Sequence, residues 1–381
     1  MMASPSESPT FFPASNGSDD DWSRLSRSII SMIAGHLNAV DHVRFRAVCC
    51  SWRATCKKRP KIPLIIICHL DRYRRLSSLS FFDLVLKQTI PLPAASASAS
   101  AAVSHLIASN NIYIGSSHGW ISFATINQQR PRISLLNPFT SELLNLPELN
   151  EIHVSPIKGI RVMLSIPVVV SYSLYPAQLS FMLIGDIGWK TISLLSPLRN
   201  VIAFKDRFYC HFYGRNRDKL YLIDMEAEDG NGAIVPVHLD SPDVILSTGE
   251  GGLMMISWEF LVEFSGDLHV AAFIRRNNGK ILYEFLKVDF ENRRLNLLTD
   301  DQMGEYQLFL GQSRPVFLRP ERYLDYRPDR FHFTESPNVL SVYECHHQSA
   351  GRILSLQGHW EDHSGQRRVA VGWITPQLNI R

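Results

Sequence analysis

The stretch FLVEFSGDLHVAAFIRRNNGKILYEFLKV, residues 260–288, reads as three strands joined by two tight turns. Phe260 to Phe264, Leu268 to Ile274 and Ile281 to Val288 are rich in β-branched and aromatic residues, which favour a pleated, packed surface. Between them stand Ser265-Gly266-Asp267 and Asn277-Asn278-Gly279, where Gly and Asn supply the positive φ of a short hairpin turn. Working outward, similar short apolar runs recur at Ile62 to Cys68, Ile112 to Ile114, Trp120 to Ala124, Ile133 to Leu136, Phe208 to Tyr213 and Leu220 to Ile223. Many short strands with few helices between them specify a sandwich, a barrel or a propeller. The span is long for one sandwich, and a propeller handles exposed strand edges by radial repetition. No crisp repeat marks the blades.

Residues 22–58 carry a different periodicity. Ile29, Ile30, Met32, Ile33 and Leu37 recur at three-to-four spacing and gather on one helix face. Asp41 is placed to cap a second helix through Val43, Phe45, Ala47 and Val48. A third short helix carries Trp52, Ala54 and Cys56 and stops before Pro60. Three helices in so short a segment bury too little apolar surface to be robust alone, so the module is expected to lean on a partner or on the next domain.

The 381 residues suit two domains, and 45% hydrophobic with 20% charged residues is ordinary for a globular chain. The net charge of +3, from 39 basic and 36 acidic side chains, offers no electrostatic case for nucleic acid or an anionic membrane. Six cysteines at 49, 50, 56, 68, 210 and 345 follow no disulfide framework and fit a reducing compartment, where thiols pack as small hydrophobes. The first 21 residues are polar, with no basic start and apolar run, so no secretory signal is expected. The most apolar window, residues 162–184, is broken by Pro167 and Pro176 and reads as core strands and a turn rather than a membrane helix. The protein is therefore expected to be soluble and intracellular, nuclear or cytoplasmic.

The motifs that would carry chemistry have plainer readings. Gly115-Ser116-Ser117-His118-Gly119 fits G-x-S-x-G, but strand-like residues follow it where a nucleophile elbow needs a helix, so a hairpin turn explains it. Cys345, His346, His347, His359 and His363 have ligand-like spacing in part, yet read as scattered histidines on strand and turn rather than a metal site. Gly249-Glu250-Gly251-Gly252 lacks the Lys-Ser/Thr of a phosphate loop. KKRPK at 57–61 reads as a solvated helix end, and Trp120, Trp189, Trp258 and Trp373 as structural aromatics. Ala94 to Ala102 is low-complexity and reads as a loop. No catalytic residue, metal or cofactor is expected.

The segment DDWSRLSRSIISMIAGHLNAVDHVRFRAVCCSWRATC resembles a plant F-box. Leu25, Ile29, Ile30, Ile33, Leu37, Asp41, Val48, Cys49, Trp52 and Arg53 fall on its pattern, while Ser26, His42 and Cys50 stand where Pro, Leu and Lys are usual. The remainder is similar to the KIB-type β-propeller of plant F-box proteins, through SSHGWISFATINQQRPRISLLNPFTSELLNLP, NVIAFKDRFYCHFYGRNRDKLYLID, LVEFSGDLHVAAFIRR and the closing GWITP, in that order. The resemblance implies a mainly β chain with a small α module. Residues 1–20 would be a disordered tail, 21–60 the F-box, and 61–377 the propeller, with room for six or seven blades. It implies a non-catalytic substrate receptor of a Skp-cullin-F-box ubiquitin ligase, in a pathway ending in proteasomal degradation. The adaptor-binding residues would be Trp22, Leu25, Ile29, Ile30, Ile33, Leu37, Val48, Cys49 and Trp52. Its partners would be the Skp-type adaptor, a cullin through it and an unidentified protein substrate, with no nucleic acid and no membrane. A non-ligase interaction module with a degenerate F-box is the alternative.

Overall fold

The computed structural model describes residues 25–56, 63–70, 76–83, 88–92, 104, 106, 111–125, 130–149, 160–173, 177–212, 220–227, 232–240, 256–275, 281–299, 302, 307–310, 314–318, 330–336, 339–346, 349–356 and 367–374. The chain divides into two compact units, Met1–Lys58 and Arg59–Arg381. The first holds three helices: α1 (Arg27–His36), α2 (Ala39–Phe45) and α3 (Cys50–Thr55). The second is built of strands.

Those strands sort into six blade-like groups among the described residues. The first joins β1 (Leu64–Leu70), β2 (Leu76–Asp83) and β3 (Gln88–Pro91). The second runs β4 (Asn111–Ser117), β5 (Trp120–Thr125), β6 (Arg132–Asn137) and β7 (Glu142–Glu148). The third is β8 (Ile160–Ser165), β9 (Val168–Ser173), β10 (Gln178–Leu183) and β11 (Lys190–Ser193). The fourth is β12 (Leu198–Phe204), β13 (Arg207–Phe212), β14 (Leu220–Asp224) and β15 (Ala233–Val237). The fifth is β16 (Ile256–Phe264), β17 (Asp267–Arg275), β18 (Ile281–Asp289) and β19 (Arg294–Leu297). The sixth is less regular: β20 (Gln307–Leu310), β21 (Val316–Leu318), β22 (Arg330–Ser336), β23 (Val339–His346) and β24 (Ser349–Leu356). Here β20 pairs parallel with β22, and β24 borrows two pairings from β18, so blades five and six share one hydrogen-bonded sheet.

The last strand, β25 (Arg367–Ile374), does not extend the sixth blade but pairs antiparallel with β1, completing the first sheet in the order β25-β1-β2-β3. The innermost strands then follow one another: β25 lies beside β4, β4 beside β8, β8 beside β12, β12 beside β16, β16 beside β21, and β22 beside β25. The series closes on itself, as a propeller requires.

Side-chain alternation explains why the blades stack. Val169 on β9 packs toward blade two with Ile114, Leu135 and Leu146, while Val170 packs toward blade four with Val201 and Phe208. Strands buried on both faces carry continuous apolar runs rather than alternating ones. The same two-sided burial recurs between blades four and five, where Ile202 and Tyr209 meet Leu261 and Val270, and between five and six, where Phe273 meets Leu308. The window 162–184 is thus blade three, β8 to β10 around the turn Ile166-Pro167, with Pro176 outside the described residues.

Turn chemistry matches the reading of the sequence. Ser265 (φ 53°) and Gly266 (φ 82°) form the two-residue connection between β16 and β17. His118 with Gly119 and Lys205 with Asp206 do the same, all four at positive φ. Paired positive φ values follow the right-handed twist of the flanking strands. The second expected turn, at 277–279, lies outside the described residues; Arg275 and Ile281 on either side of it are paired.

Truncation before Arg367 removes the strand that pairs β1 and leaves its backbone edge open. Urea unfolding of that chain should lose its single cooperative transition, while the intact chain keeps it. Ile66, fully buried on β1, should cost about 2–5 kcal/mol when changed to Ala, read from the same unfolding midpoints.

Candidate functional site: the helical module and the inner hairpins

In the helical module each helix begins on its own capping group. Ser26 Oγ accepts the Ile29 N–H at 3.4 Å at the start of α1. The cap of α2 is Asn38, not Asp41: Asn38 Oδ1 accepts the Asp41 N–H at 2.8 Å and Asn38 Nδ2 donates to the Asp41 carboxylate at 2.7 Å. Asp41 sits instead in the first turn, where a negative charge favours the helix dipole. Cys49 caps α3 through Sγ, which accepts the Trp52 N–H at 3.4 Å.

These caps aim two faces of α1 in different directions. Ile30 and Ala34, one turn apart, are buried against Trp52 and Cys56, with Leu25, Phe45 and Cys49 packed around them. The Phe45 and Trp52 rings lie 4.2 Å apart. The other face carries Ile29 at 41% exposure and Met32 at 61%, and Val48, in the turn after α2, is 59% exposed. Ile33 and Leu37 are half-buried, and Trp22 lies outside the described residues. Ile30 and Trp52 therefore hold the module together, while Ile29, Met32 and Val48 remain for a second body. Met32 and Val48 carry the apolar periodicity of the sequence outward, a distinction that spacing alone does not make. The unusual residues also find places: Ser26 caps, His42 is buried, and Cys50 is exposed.

The G-x-S-x-G motif forms the β4–β5 hairpin. Ser117 ends β4, His118 and Gly119 turn, and β5 follows directly, so no helix stands behind the serine as an elbow requires. Ser117 Oγ is buried and lies 3.1 Å from the Leu164 carbonyl and 2.9 Å from His118 Nδ1. The other ring nitrogen, His118 Nε2, accepts from Arg314 Nη1, and Arg314 Nη2 donates to the Glu263 carboxylate. Arg314 N–H also donates to the Ser116 carbonyl at 3.0 Å. An accepting Nε2 puts the imidazole proton on Nδ1, which donates to Ser117 Oγ, and the hydroxyl donates onward to Leu164. The serine is the middle of a relay, not a nucleophile held by a base. This network joins residues near 118, 263 and 314, and no local sequence signal announces it. Burial lowers the Arg314 guanidinium, opposed by the Glu263 charge.

A second polar group lies between blades four and five. Arg199 pairs with Glu259 at 2.8 Å, both largely buried. On the neighbouring strand His211 is buried and its Nδ1 lacks a hydrogen-bond partner. Burial, aided by the Arg199 charge, lowers His211 to about 4. Glu284, on β18, is raised by burial.

The remaining sequence candidates are structural or fall outside the description. Cys68 and Cys210 are free and buried; burial pushes the Cys68 thiol up to about 12 and Cys210 in the same direction. Raised thiols are poor nucleophiles. Trp120 is buried, and Trp189 is buried with Nε1 donating to the Pro147 carbonyl at 3.0 Å. The side chains of Cys345, His346, Trp258 and Trp373, and residues 57–61, 94–102, 249–252, 347, 359 and 363, lie outside the described residues. Among the described residues no cluster of His, Cys, Asp and Glu could hold a metal ion, and no helix is long and apolar enough to cross a membrane.

His211 sets a pH dependence with a definite sign. Its folded value of about 4 lies below the ordinary 6.5, so folding is favoured by the neutral ring. That contribution, roughly 3 kcal/mol, is present above about pH 6.5 and is lost as pH falls from there toward 4. Urea midpoints should drop between pH 7 and pH 5 in the wild type, and more shallowly in His211→Phe.

Comparison with known proteins follows the division of the chain. The F-box domain family matches residues 22–63, and the KIB1-4 beta-propeller family matches residues 81–344. No curated protein matches the sequence. Among solved structures, TolB from Acinetobacter baumannii is similar at 11% identity and a TM-score of 0.39, over 87% of this chain and 72% of that one. A chain of the nidogen/laminin complex is similar at 10% identity and a TM-score of 0.36, over 83% of this chain and all of that one. With the family matched from β2 into β23, and an F-box domain at residues 22–63, this chain belongs to the KIB1-4 beta-propeller family.

Proposed function

We propose that the chain is the substrate-receptor subunit of a Skp-cullin-F-box ubiquitin ligase, with residues 21–60 docking a Skp-type adaptor and residues 61–377 holding a protein target. The observation that carries this reading is the outward apolar face of the helical module. Ile29, Met32 and Val48 stand in water although the module has a core of its own. Exposed aliphatic groups on a small helical unit are what a complementary apolar groove on a partner covers. Leu25, Ile33, Leu37 and Cys49, partly buried, would form the margin of that contact. Ile30 and Trp52 would support it from within.

The chain would perform no covalent chemistry in this role. It would raise the local concentration of target lysines near a charged conjugating enzyme brought by the cullin, which converts a bimolecular encounter into an intramolecular one. The setting would be nuclear or cytoplasmic, and the outcome degradation of the target by the proteasome.

Binding of the intact chain to a purified Skp-type adaptor tests the reading. Changing Ile29, Met32 and Val48 together to Asp should weaken binding at least about tenfold while leaving the thermal melt unchanged, because their side chains contribute little to the module's core. Trp52→Ala should lower both the melt and the binding. Undiminished adaptor binding by the triple variant, or none by the wild type, would refute adaptor docking through this face and leave a stand-alone interaction module.

A further inference from the structure

The outer end of the seam between blades two and three is open. A cleft of about 450 Å3 lies there, with Leu144, Leu146 and Pro147 of β7 on one side and Met182, Ile184 and Asp186 of blade three on the other. Its floor continues the core that joins the two blades. Near it two aliphatic side chains reach solvent: Ile166 is half-exposed, and Ile187 is fully exposed. Scattered exposed aliphatics are ordinary, but a group of them next to an apolar cleft marks an interaction site.

The exposure is built in. Asp186 N–H donates to the Leu183 carbonyl at 3.0 Å, and Leu183 N–H donates back to Asp186 Oδ2 at 2.9 Å. Ile184 N–H donates to the Pro167 carbonyl at 2.8 Å, which ties this loop to the turn carrying Ile166. The Trp189 indole anchors its far end on Pro147. Ile187 is thus held in water by a hydrogen-bonded loop.

Two features define what fits. First, β7 is the terminal strand of its sheet, in the order β4-β5-β6-β7, and it contains Pro147, a residue tolerated at sheet edges. At Pro147 that edge is closed to strand addition, since proline has no N–H and its carbonyl accepts the Trp189 indole, so an extended occupant is held through its side chains. Second, Arg132 lines the cleft but is matched by Glu148 at 3.1 Å, so that pair adds no net charge. Asp186 spends only Oδ2 on the Leu183 N–H, and its charge is left for a cation.

We infer that the cleft seats an extended segment of the protein target, an aliphatic side chain against Leu144, Leu146 and Met182 and a lysine or arginine against Asp186. The inference rests on the substrate-receptor reading and names the class of segment that the receptor takes. A protein with this cleft recognises a short linear motif, aliphatic with an adjacent base, rather than a broad folded surface.

The test is selection of a random-peptide phage library on the intact chain, followed by fluorescence anisotropy of the selected peptides. They should carry an aliphatic residue with Lys or Arg beside it. Ile187→Asp should weaken them about tenfold or more, and Asp186→Asn about threefold or more, since asparagine keeps the acceptor for Leu183 but loses the charge. Leu195→Asp, at another fully exposed aliphatic, should leave them unchanged. The thermal melts of the same variants should equal that of the wild type, which shows that the propeller is folded. Failure to select any peptide, or selected peptides that bind Ile187→Asp as tightly as wild type, would overturn the cleft. Peptides that depend on Ile187, in a chain that binds no adaptor, would uphold the cleft and overturn the receptor role instead.

Discussion

The strand pairing of Leu64–Leu70 with Arg367–Ile374 is the constraint on which the propeller depends. Without it the first sheet has three strands and an open edge, and the apolar faces of β1 and β4 lose the neighbour that covers them. Four consecutive residues of β1, Leu64 to Ile67, are essentially inaccessible to solvent because β25 and β2 flank them. A closed ring has no outermost blade, so every sheet buries both faces, and this lets blades of dissimilar sequence share one architecture. It also sets a folding order. The contact that seals the ring joins residues near opposite ends of the second unit, and chain entropy makes such a contact late.

How much of this was legible in the sequence depended on the range of the signal. The meander at 260–288 announced itself because hairpin pairing is local: Ser265 and Gly266 set the turn and the flanking residues set the register. The helical module was legible for the same reason, down to its third helix, although the cap of α2 fell on Asn38 because both its side-chain oxygen and amide reach Asp41. The blade count was not legible. Inner strands begin at Asn111, Leu198 and Ile256, with Ile160 between the first two, and such uneven intervals hide the repeat. The closure by β25 was equally silent, since nothing in a strand's own residues names a partner some three hundred positions away.

The site residues divide along the same line. Periodicity put Ile29, Ile30 and Ile33 on one face of α1, but a helix has a continuous surface. Only packing against Trp52 and Phe45 decides that Ile30 turns inward while Ile29 turns out. Val48 is exposed because the chain leaves α2 just before it, a matter of where a turn falls rather than of hydrophobicity. The aliphatics beside the blade-two cleft gave no signal either: Ile166 sits in the apolar window 162–184 that reads as core throughout, and Ile187 lies just beyond it. Their exposure comes from turns at Pro167 and Asp186 that bring the strand ends to the surface.

The Arg314 network ties together parts of the ring that strand pairing keeps apart. Counted along the inner strands of the described residues, blade two, with His118, and blade five, with Glu263, are three places apart among six, so they face each other across the ring's axis. Arg314, from blade six, bonds to both. A spoke of this kind changes how the ring yields. Blades stacked only on their neighbours can part at any one seam, as in a linear repeat, and the weakest seam then governs local opening. With opposite rims joined, opening a seam between them must also strip a buried guanidinium of its acceptors. Opening at the His118 hairpin and at the end of β16 is thereby coupled, and the least regular blade supplies the side chain that couples them.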